Sequence, residues 1–202
     1  ELTRAELRRY SRPLLLAEWA DAGAQEKLKA AKVLVVGAGG LGSPAIMYLA
    51  GAGIGSLTLV DPDVAEVSNL HRQPIHAGRV GLSKAASAAA FVAALDPSVT
   101  VSVREEVLTP ANAGALVGGA DVVLDCADSF AASYILSDAC LAAGVPLVSA
   151  SALALEGYCG GFCGGAGLFD GEEGGGGGCC APAPAGPQSI SLAGLGLSSV
   201  TR

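Results

Sequence analysis

Residues 33–42 combine an apolar run with glycines at a spacing that lets a backbone turn approach a phosphate group. They read Val-Leu-Val-Val-Gly-Ala-Gly-Gly-Leu-Gly, so Gly37, Gly39 and Gly42 match G-x-G-x-x-G, with Gly40 inside the same turn. Gly37 allows the tight turn, Gly39 allows close approach of a phosphate, and Gly42 allows the helix to pack on the strand. The helix that follows points unpaired N–H groups at an anion. The pattern predicts a nucleotide site, and a turn without a ligand is the alternative.

An acidic residue follows the glycine turn at the distance expected for a ribose contact. Asp61 ends the next predicted strand, 19 residues after Gly42 (61 − 42). A carboxylate in this position can accept hydrogen bonds from ribose hydroxyls. The turn and this acid together indicate a nucleotide, but they do not distinguish ATP from a dinucleotide.

Cationic and amide side chains come soon after this acid, and they favour ATP. They are Asn69, Arg72, Gln73 and Lys84. A hydride-transfer site holds only a pyrophosphate and needs few such donors, whereas a triphosphate can use all of them. Arg72 and Lys84 would neutralise the charge that builds on a leaving pyrophosphate. The alternative for any one of these residues is ordinary loop polarity or a lysine at a helix start.

A third acidic segment lies at the end of another apolar run. Residues 121–130 predict a buried strand followed by Asp125 and Asp128. Carboxylates at the carboxyl end of a parallel strand lie on the ligand side of such sheets. We expect Asp128 to hold Mg²⁺, which prefers one or two carboxylates together with phosphate oxygens. The alternative is that Asp128 caps the helix that begins near Phe130.

Short β-branched runs alternate with alanine-rich segments through the region that carries these residues. The predicted strands are Val33–Gly37, Ser56–Asp61, Thr100–Glu105, Asp121–Asp125 and Pro146–Ala150. The predicted helices are Leu41–Ala52, Ser83–Ala94, Pro110–Val117 and Phe130–Ala143. This alternation predicts an α/β fold, a doubly wound, Rossmann-like and mostly parallel sheet with helices on both faces.

The chain divides into three regions by composition. Residues 1–31 have a helical pattern and predict an N-terminal helical arm, and residues 32–165 predict the ATP-binding domain. The chain becomes glycine-rich from Gly157, and residues 166–202 form a Gly/Pro-rich tail. Such a segment cannot offset its ordering entropy by burial, so we expect a linker, a poorly ordered arm or a truncated region.

Composition excludes several classes of partner. The 202 residues carry a formal net charge of −7, which argues against nucleic acid because its binding depends on cations. The longest weakly polar run, residues 43–59, is interrupted by three glycines, whereas a membrane span needs about 20 apolar residues. The first residues lack an apolar signal core, so a cytoplasmic location is expected. We interpret His71 and His76 as structural or loop residues rather than catalysts.

Six motifs occur in this order: Arg9-Tyr-Ser-Arg12, Gly37-Ala-Gly-Gly-Leu-Gly42, Asp61-Pro-Asp63, Ser68-Asn-Leu-His-Arg-Gln73, Gly81-Leu-Ser-Lys84 and Asp125-Cys-Ala-Asp128. With these motifs the chain resembles the ubiquitin-activating-like family, the ThiF/MoeB/HesA group, from about Arg9 to Gly165.

The resemblance implies adenylation of a small protein. Members bind Mg-ATP and the Gly-Gly tail of a ubiquitin-like sulfur-carrier protein, whose carboxylate attacks the α-phosphate, in thiamine, molybdopterin or related sulfur pathways. By motif, Asp61 would bind ribose, Asn69, Arg72 and Lys84 the phosphates, and Asp128 the Mg²⁺ or the reacting centre. Asp63 and Gln73 fall within the same motifs and are expected in the site. Arg12 would reach the ATP of a partner subunit, which implies a homodimer.

Some positions depart from the family pattern. Ser129 stands where asparagine is usual, Ser133-Tyr134 where an Arg–Tyr pair is usual, and Pro13 where glutamine is usual. Many members bind structural Zn²⁺ with two C-x-x-C pairs, but this chain has a wider pair and a vicinal pair: Cys159 with Cys163, and Cys179 with Cys180. Because a vicinal pair chelates a tetrahedral ion poorly, Zn²⁺ is disfavoured. A role of Cys179 or Cys180 in relaying sulfur remains an alternative.

Two other functions remain as alternatives. An NAD-dependent oxidoreductase would explain the glycine turn and Asp61 but would leave Arg72, Lys84 and Asp128 without a role. A non-catalytic scaffold would keep the fold and lose activity, and Ser129, Ser133 and the altered tail motivate it.

Overall fold

A six-stranded sheet forms the centre of the fold in the computed structural model, which describes residues 1–162. The strands are β1 (Lys32–Val36), β2 (Ser56–Val60), β3 (Thr100–Arg104), β4 (Val122–Asp125), β5 (Leu147–Leu153) and β6 (Glu156–Phe162). Their order is β3-β2-β1-β4-β5-β6, and all pairs are parallel except β5 with β6. The order reverses between β1 and β4, and the crevice at such a switch point binds ligands in open α/β sheets.

Helices cover both faces of the sheet. They are α1 (Arg4–Arg9), α2 (Ala17–Asp21), α3 (Ala24–Ala30), α4 (Gly42–Ala52), α5 (Lys84–Leu95), α6 (Pro110–Val117) and α7 (Phe130–Ala143). Alternate residues of β1 point to opposite faces: Val33 and Val35 pack with α4 and α5, whereas Leu34 and Val36 pack with α6 and α7. Helices therefore pack against β1 from both sides, next to the carboxyl edge of the sheet.

The predicted fold class is confirmed, and the predicted elements agree closely with the observed ones. Two helices, Pro110–Val117 and Phe130–Ala143, begin and end where predicted, and the five predicted strands differ by a few residues at their ends. The linker or poorly ordered tail predicted for residues 166–202 lies outside the described residues. No strand was predicted between Pro146–Ala150 and this tail, whereas residues 157–162 pair antiparallel with β5. Backbone hydrogen bonds to a neighbouring strand stabilise this glycine-rich segment where side-chain propensity does not.

The N-terminal arm is helical, as predicted, but it is broken into short pieces. A 3-10 turn at Pro13–Leu15 separates α1 from α2, and Gly23, with φ of 59°, separates α2 from α3. Gln25 in α3 attaches the arm to the end of α4, where its Nε2 donates to the carbonyl oxygen of Ala52 at 2.8 Å.

Candidate functional site

The glycine turn joins β1 to α4 at the carboxyl edge of the sheet. Gly37 has φ of 93°, and a Cβ at this position would lie 2.5 Å from the carbonyl oxygen of Cys126. At Gly42 a Cβ would overlap the carbonyl oxygen of Gly37. Both positions therefore require glycine, for the reasons that the motif predicted.

The turn leaves a row of backbone donors available. Among the described residues, none accepts a hydrogen bond from the N–H groups of residues 39–42, whereas the next N–H, of Ser43, donates to Gly39. These four groups lead into the N-terminus of α4, where the helix dipole also favours an anion. A phosphate is the type of ligand that this arrangement can bind.

Asp61 holds the turn in place. One carboxylate oxygen accepts the N–H of Ala38 at 2.7 Å, and the other accepts the N–H of Asp63 at 2.8 Å. The side chain is buried. Each carboxylate oxygen has a further lone pair, so these bonds leave capacity for a ribose hydroxyl. The sequence did not indicate this second role in organising the turn.

His76 holds the same turn from the other side. Its Nε2 lies 2.9 Å from the carbonyl oxygen of Ala38, and its Nδ1 lies 2.9 Å from the hydroxyl of Ser87 in α5. Burial lowers the pKa of His76, which keeps the ring neutral. The interpretation of His76 as a structural residue agrees with this geometry, but its contact with the glycine turn could not be read from the sequence.

Arg72 and Gln73 lie beside the turn. The side-chain carbons of Arg72 lie 3.7 and 3.9 Å from the position of a Cβ on Gly40, and Nε2 of Gln73 lies 3.6 Å from that of a Cβ on Gly39. Gln73 is 3% exposed, and its Oε1 has no hydrogen-bond partner among the described residues. Burying an unpaired amide oxygen costs about 1–3 kcal/mol, so this contact of Gln73 is energetically incomplete within the described residues.

Lys84 begins α5 and forms an ion pair. Its Nζ lies 2.8 Å from Oδ2 of Asp63, with the two side chains 11% and 61% exposed. The backbone N–H of Lys84 also donates to the carbonyl oxygen of Asp63, at 2.8 Å. Through Asp63, this lysine is linked to Asp61 and the glycine turn. Asn69 is used locally, since its Oδ1 accepts the N–H of Glu66 at 3.0 Å.

Asp128 lies in the loop after β4 and has an exposed carboxylate. The N-cap of α7 is Ser129, whose hydroxyl accepts the N–H of Ala132 at 3.1 Å, so the alternative of Asp128 as the cap is wrong. Asp128 has no hydrogen bond or ion pair within residues 1–162. Its carboxylate is free to bind a cation.

The buried Asp125 stabilises the loop that carries Asp128. One carboxylate oxygen of Asp125 accepts the hydroxyl of Ser149 at 2.9 Å, and the other accepts the N–H of Ala127 at 3.2 Å. The sequence placed Asp125 at the strand end, but it contained no signal for the partner Ser149.

Arg12 is not brought to this site by its own chain. Tyr10, two residues earlier, is buried, and its hydroxyl donates to Asp96 at 3.1 Å, directly after the C-terminus of α5. The 12 residues of α5 span about 18 Å, and Lys84 lies at the opposite end. The side chain of Arg12 is exposed and makes no hydrogen bond or ion pair to any described residue, and only its backbone carbonyl accepts a bond, from the N–H of Leu15.

Features elsewhere in the described residues do not form a second site. Cys159 is exposed in β6, and its proposed zinc partner Cys163, like Cys179 and Cys180, lies outside the described residues. No group of three metal-binding side chains occurs within residues 1–162. A cavity of about 460 Å³ between α6 and α7 is lined mostly by small or apolar residues and contains one carboxylate, Asp138. None of the described helices has both the length and the apolar character needed to span a bilayer.

Comparison with known proteins identifies relatives of the whole domain. The chain is 49% identical to the adenylyltransferase and sulfurtransferase UBA4 of Yarrowia lipolytica over 164 residues, which cover 78% of this chain and 41% of the relative. It is 45% identical to the adenylyltransferase and sulfurtransferase MOCS3 of Drosophila grimshawi over 205 residues, covering 100% of this chain and 44% of the relative. The chain thus spans less than half the length of these curated relatives.

A solved structure has the same fold with a nucleotide bound. The E. coli tRNA N6-threonylcarbamoyladenosine dehydratase TcdA, in complex with ATP, superimposes with a TM-score of 0.68 at 32% identity, covering 74% of this chain and 61% of TcdA. The family model of the ThiF family matches residues 10–188. This match spans most of the chain, which therefore belongs to the ThiF family.

Proposed function

We propose that this chain uses ATP to adenylate the C-terminal Gly-Gly carboxylate of a ubiquitin-like sulfur-carrier protein. The product would serve sulfur transfer in thiamine, molybdopterin or a related pathway. The observation that carries the proposal is the row of N–H groups at residues 39–42, which have no acceptor within residues 1–162, with Arg72 beside the row and Lys84 linked to it through Asp63 and Asp61. Relatives named adenylyltransferases and the ATP-bound TcdA structure support this assignment.

The reaction needs positioning and charge neutralisation rather than a protein nucleophile. A carboxylate oxygen of the carrier tail attacks the α-phosphorus of ATP, the bond from that phosphorus to the bridging oxygen breaks, and pyrophosphate leaves. Arg72 and Lys84 would bind the phosphates and offset the charge that accumulates on pyrophosphate. Backbone donors of residues 39–42 would hold the phosphates without reorganising.

No general base is required for this step. The pKa of a chain-terminal carboxyl group is about 3.5, so the tail is already ionised at neutral pH. This agrees with the environment of His76, whose two ring nitrogens are occupied by Ala38 and Ser87 rather than facing the crevice.

The carboxylate of Asp128, which has no partner in the part of the chain that the structure describes, fits a role as a Mg²⁺ ligand. It is exposed at the carboxyl edge of the sheet, and Ser129 rather than Asp128 caps α7. Mg²⁺ usually keeps several waters and binds one or two carboxylates together with substrate phosphates. When bound, such an ion neutralises phosphate charge, and Asp128 would hold it there.

Arg12 is proposed to act on a neighbouring subunit. Anchoring of Tyr10 at the far end of α5 keeps the arginine of the same chain away from Lys84. In a homodimer, an arm from the partner could supply the guanidinium that its own site lacks. Arginine suits this role because its planar fork binds phosphate oxygens in pairs.

The oxidoreductase alternative leaves the main contacts of the site unused. Hydride transfer would not require the Lys84–Asp63 pair at the turn or the free carboxylate of Asp128. The scaffold alternative is motivated by Ser129 and Ser133. Since Ser129 caps α7 as an asparagine could, this departure preserves the local structure.

The test uses a recombinant ubiquitin-like sulfur carrier ending in Gly-Gly, with the same carrier lacking both glycines as the matched control. Mass spectrometry is expected to detect a carrier adenylate, with carrier-dependent exchange between ATP and pyrophosphate, only for the intact tail and not for Asp128→Ala. A chain that binds the carrier but not Mg-ATP would establish the scaffold instead. An absorbance change at 340 nm with NAD would support the oxidoreductase.

A further inference from the structure

The peptide unit between Ala38 and Gly39 connects a buried contact to the candidate phosphate site. In a planar trans peptide, the C=O and the following N–H point in opposite directions. The carbonyl oxygen of Ala38 points inwards to His76, at 2.9 Å. The N–H of Gly39 must therefore point away from His76, and it is the first of the donors without an acceptor among the described residues.

The hydrogen bonds define the tautomer of His76. A carbonyl oxygen can only accept, so Nε2 carries the proton and donates to Ala38. Nδ1 is then the acceptor for the hydroxyl of Ser87, at 2.9 Å. Both side chains are fully buried, with 0% exposure. Ser87 lies one turn along α5 from Lys84, so this pair joins the glycine turn to the helix that begins with the lysine proposed to bind phosphate.

We propose that His76, supported by Ser87, is a positioning residue that directs the N–H of Gly39 towards a nucleotide phosphate. The proposal rests on the proposed function of the glycine turn. The hydroxyl of Ser43 is the other side chain near the carbonyl oxygen of Ala38, but at 3.3 Å it is the weaker partner. Without His76, the flexible backbone at Gly39 can rotate this peptide unit away from the orientation that the ligand needs.

The hydrogen bonds from Ser87 through His76 to the carbonyl oxygen of Ala38 are called the relay below. Three variants of the relay distinguish a positioning role from a simple loss of stability. His76→Leu removes the donor at similar size, His76→Gln keeps an N–H donor, and Ser87→Ala removes only the hydroxyl behind the ring. The matched control is Gln25→Leu, which deletes another buried side-chain bond to a backbone carbonyl, that of Ala52, at the opposite end of α4. Calorimetry measures the ATP dissociation constant, and thermal unfolding measures Tm.

His76→Leu is expected to weaken ATP binding about tenfold, equivalent to one hydrogen bond to a charged ligand. His76→Gln should restore affinity to within about threefold, since its donor is retained. Gln25→Leu should lower Tm without changing ATP affinity. ATP binding by His76→Leu at the wild-type affinity, or an equal loss in Gln25→Leu, would overturn the proposal. If His76→Leu does not fold, Ser87→Ala provides the test. Weaker ATP binding by Ser87→Ala is the expected result, and unchanged ATP binding would contradict the proposal.

Nuclear magnetic resonance tests the relay without ATP. Two-bond ¹⁵N–¹H spectra should show His76 protonated at Nε2, and the amide signal of Gly39 should move in His76→Leu more than in Gln25→Leu. Protonation at Nδ1, or an unmoved Gly39 signal, would disprove the relay itself. If the wild-type chain shows the relay but binds no ATP, the proposed function is disproved and the relay is not.

Discussion

The Nζ atom of Lys84 lies 2.8 Å from Oδ2 of Asp63, so the cation proposed to bind phosphate is paired with a carboxylate. A triphosphate must compete with Asp63 for this lysine, and the two anions repel each other. Asp63 is 61% exposed, which limits the strength of the pair in water. We therefore expect the pair to hold Lys84 near the glycine turn while reducing its attraction for ATP.

Asp63→Asn is expected to bind ATP about two- to fivefold more tightly, because a partly solvated charge is removed and the amide can still contact Lys84. Isothermal titration of ATP into the variant and the wild type measures this change. Lys84→Gln is the matched comparison and should weaken binding instead. Binding more than tenfold weaker in Asp63→Asn would mean that the carboxylate mainly positions the lysine.

Asp128→Asn is expected to lower the rate of ATP–pyrophosphate exchange by about 100-fold, since it removes charge that stabilises the transition state. Its Tm should stay unchanged, because Asp128 is exposed and its carboxylate makes no bond within the described residues. A magnesium titration should show that the variant needs more Mg²⁺ than the wild type.

Asp138→Asn provides the control for this substitution. Asp138 is an exposed carboxylate on α7, the helix that follows Asp128, but it lines the cavity beside α6 rather than the glycine turn. The rate of ATP–pyrophosphate exchange in Asp138→Asn should equal that of the wild type. Equal rates in both variants would exclude Asp128 from the reaction.

The sequence was sufficient to predict most of the fold because local and tertiary preferences agree. β1 is apolar from Val33 to Val36 with a glycine turn after it, and α7 is an unbroken alanine-rich segment with Gly144 at its end. β6 was missed because Gly157, Gly160 and Gly161 have low strand propensity, and only pairing with β5 stabilises them there. Such pairing depends on tertiary neighbours that periodicity does not reveal.

The sequence predicted the residues of the candidate site that a nucleotide motif defines directly. It did not predict the residues that only support other residues of the site. Gly37 and Asp61 could be identified from the motif, because their positions follow from the geometry of a nucleotide turn. The contact of His76 with Ala38 crosses 38 positions, and that of Ser149 with Asp125 crosses 24. Supporting contacts over such distances depend on helix and strand packing, which the sequence alone does not specify.

The stability of the fold is expected to decrease in mild acid because of His76. Burial lowers the pKa of His76 below its ordinary value of 6.5, and the nearby charges of Lys84 and Arg79 act in the same direction, whereas Asp61 and the bond to Ala38 oppose them. The unfolded chain therefore binds a proton that the folded chain does not. This contribution to stability is complete above pH 6.5 and is lost as pH falls towards the lowered folded-state pKa.

Urea unfolding between pH 7.5 and 5 measures this dependence. His76 alone contributes a slope of at most about 1.4 kcal/mol per pH unit in that window. His76→Gln does not titrate there, so the difference in unfolding free energy between it and the wild type should shrink as the pH falls. A difference that is constant with pH would mean that His76 has the same pKa in both states.

Arg12→Ala and Asp128→Ala are expected to complement each other when mixed, although each should be inactive alone. If the arm of one subunit completes the site of its partner, a hybrid dimer has one site with both defects and one site with none. Random exchange of subunits makes half of the dimers hybrids, so about a quarter of the wild-type sites should be intact. ATP–pyrophosphate exchange measures the recovery, and differently tagged chains report whether mixing occurred. Subunits that mix without recovery would show that Arg12 acts within its own chain or has no part in the reaction.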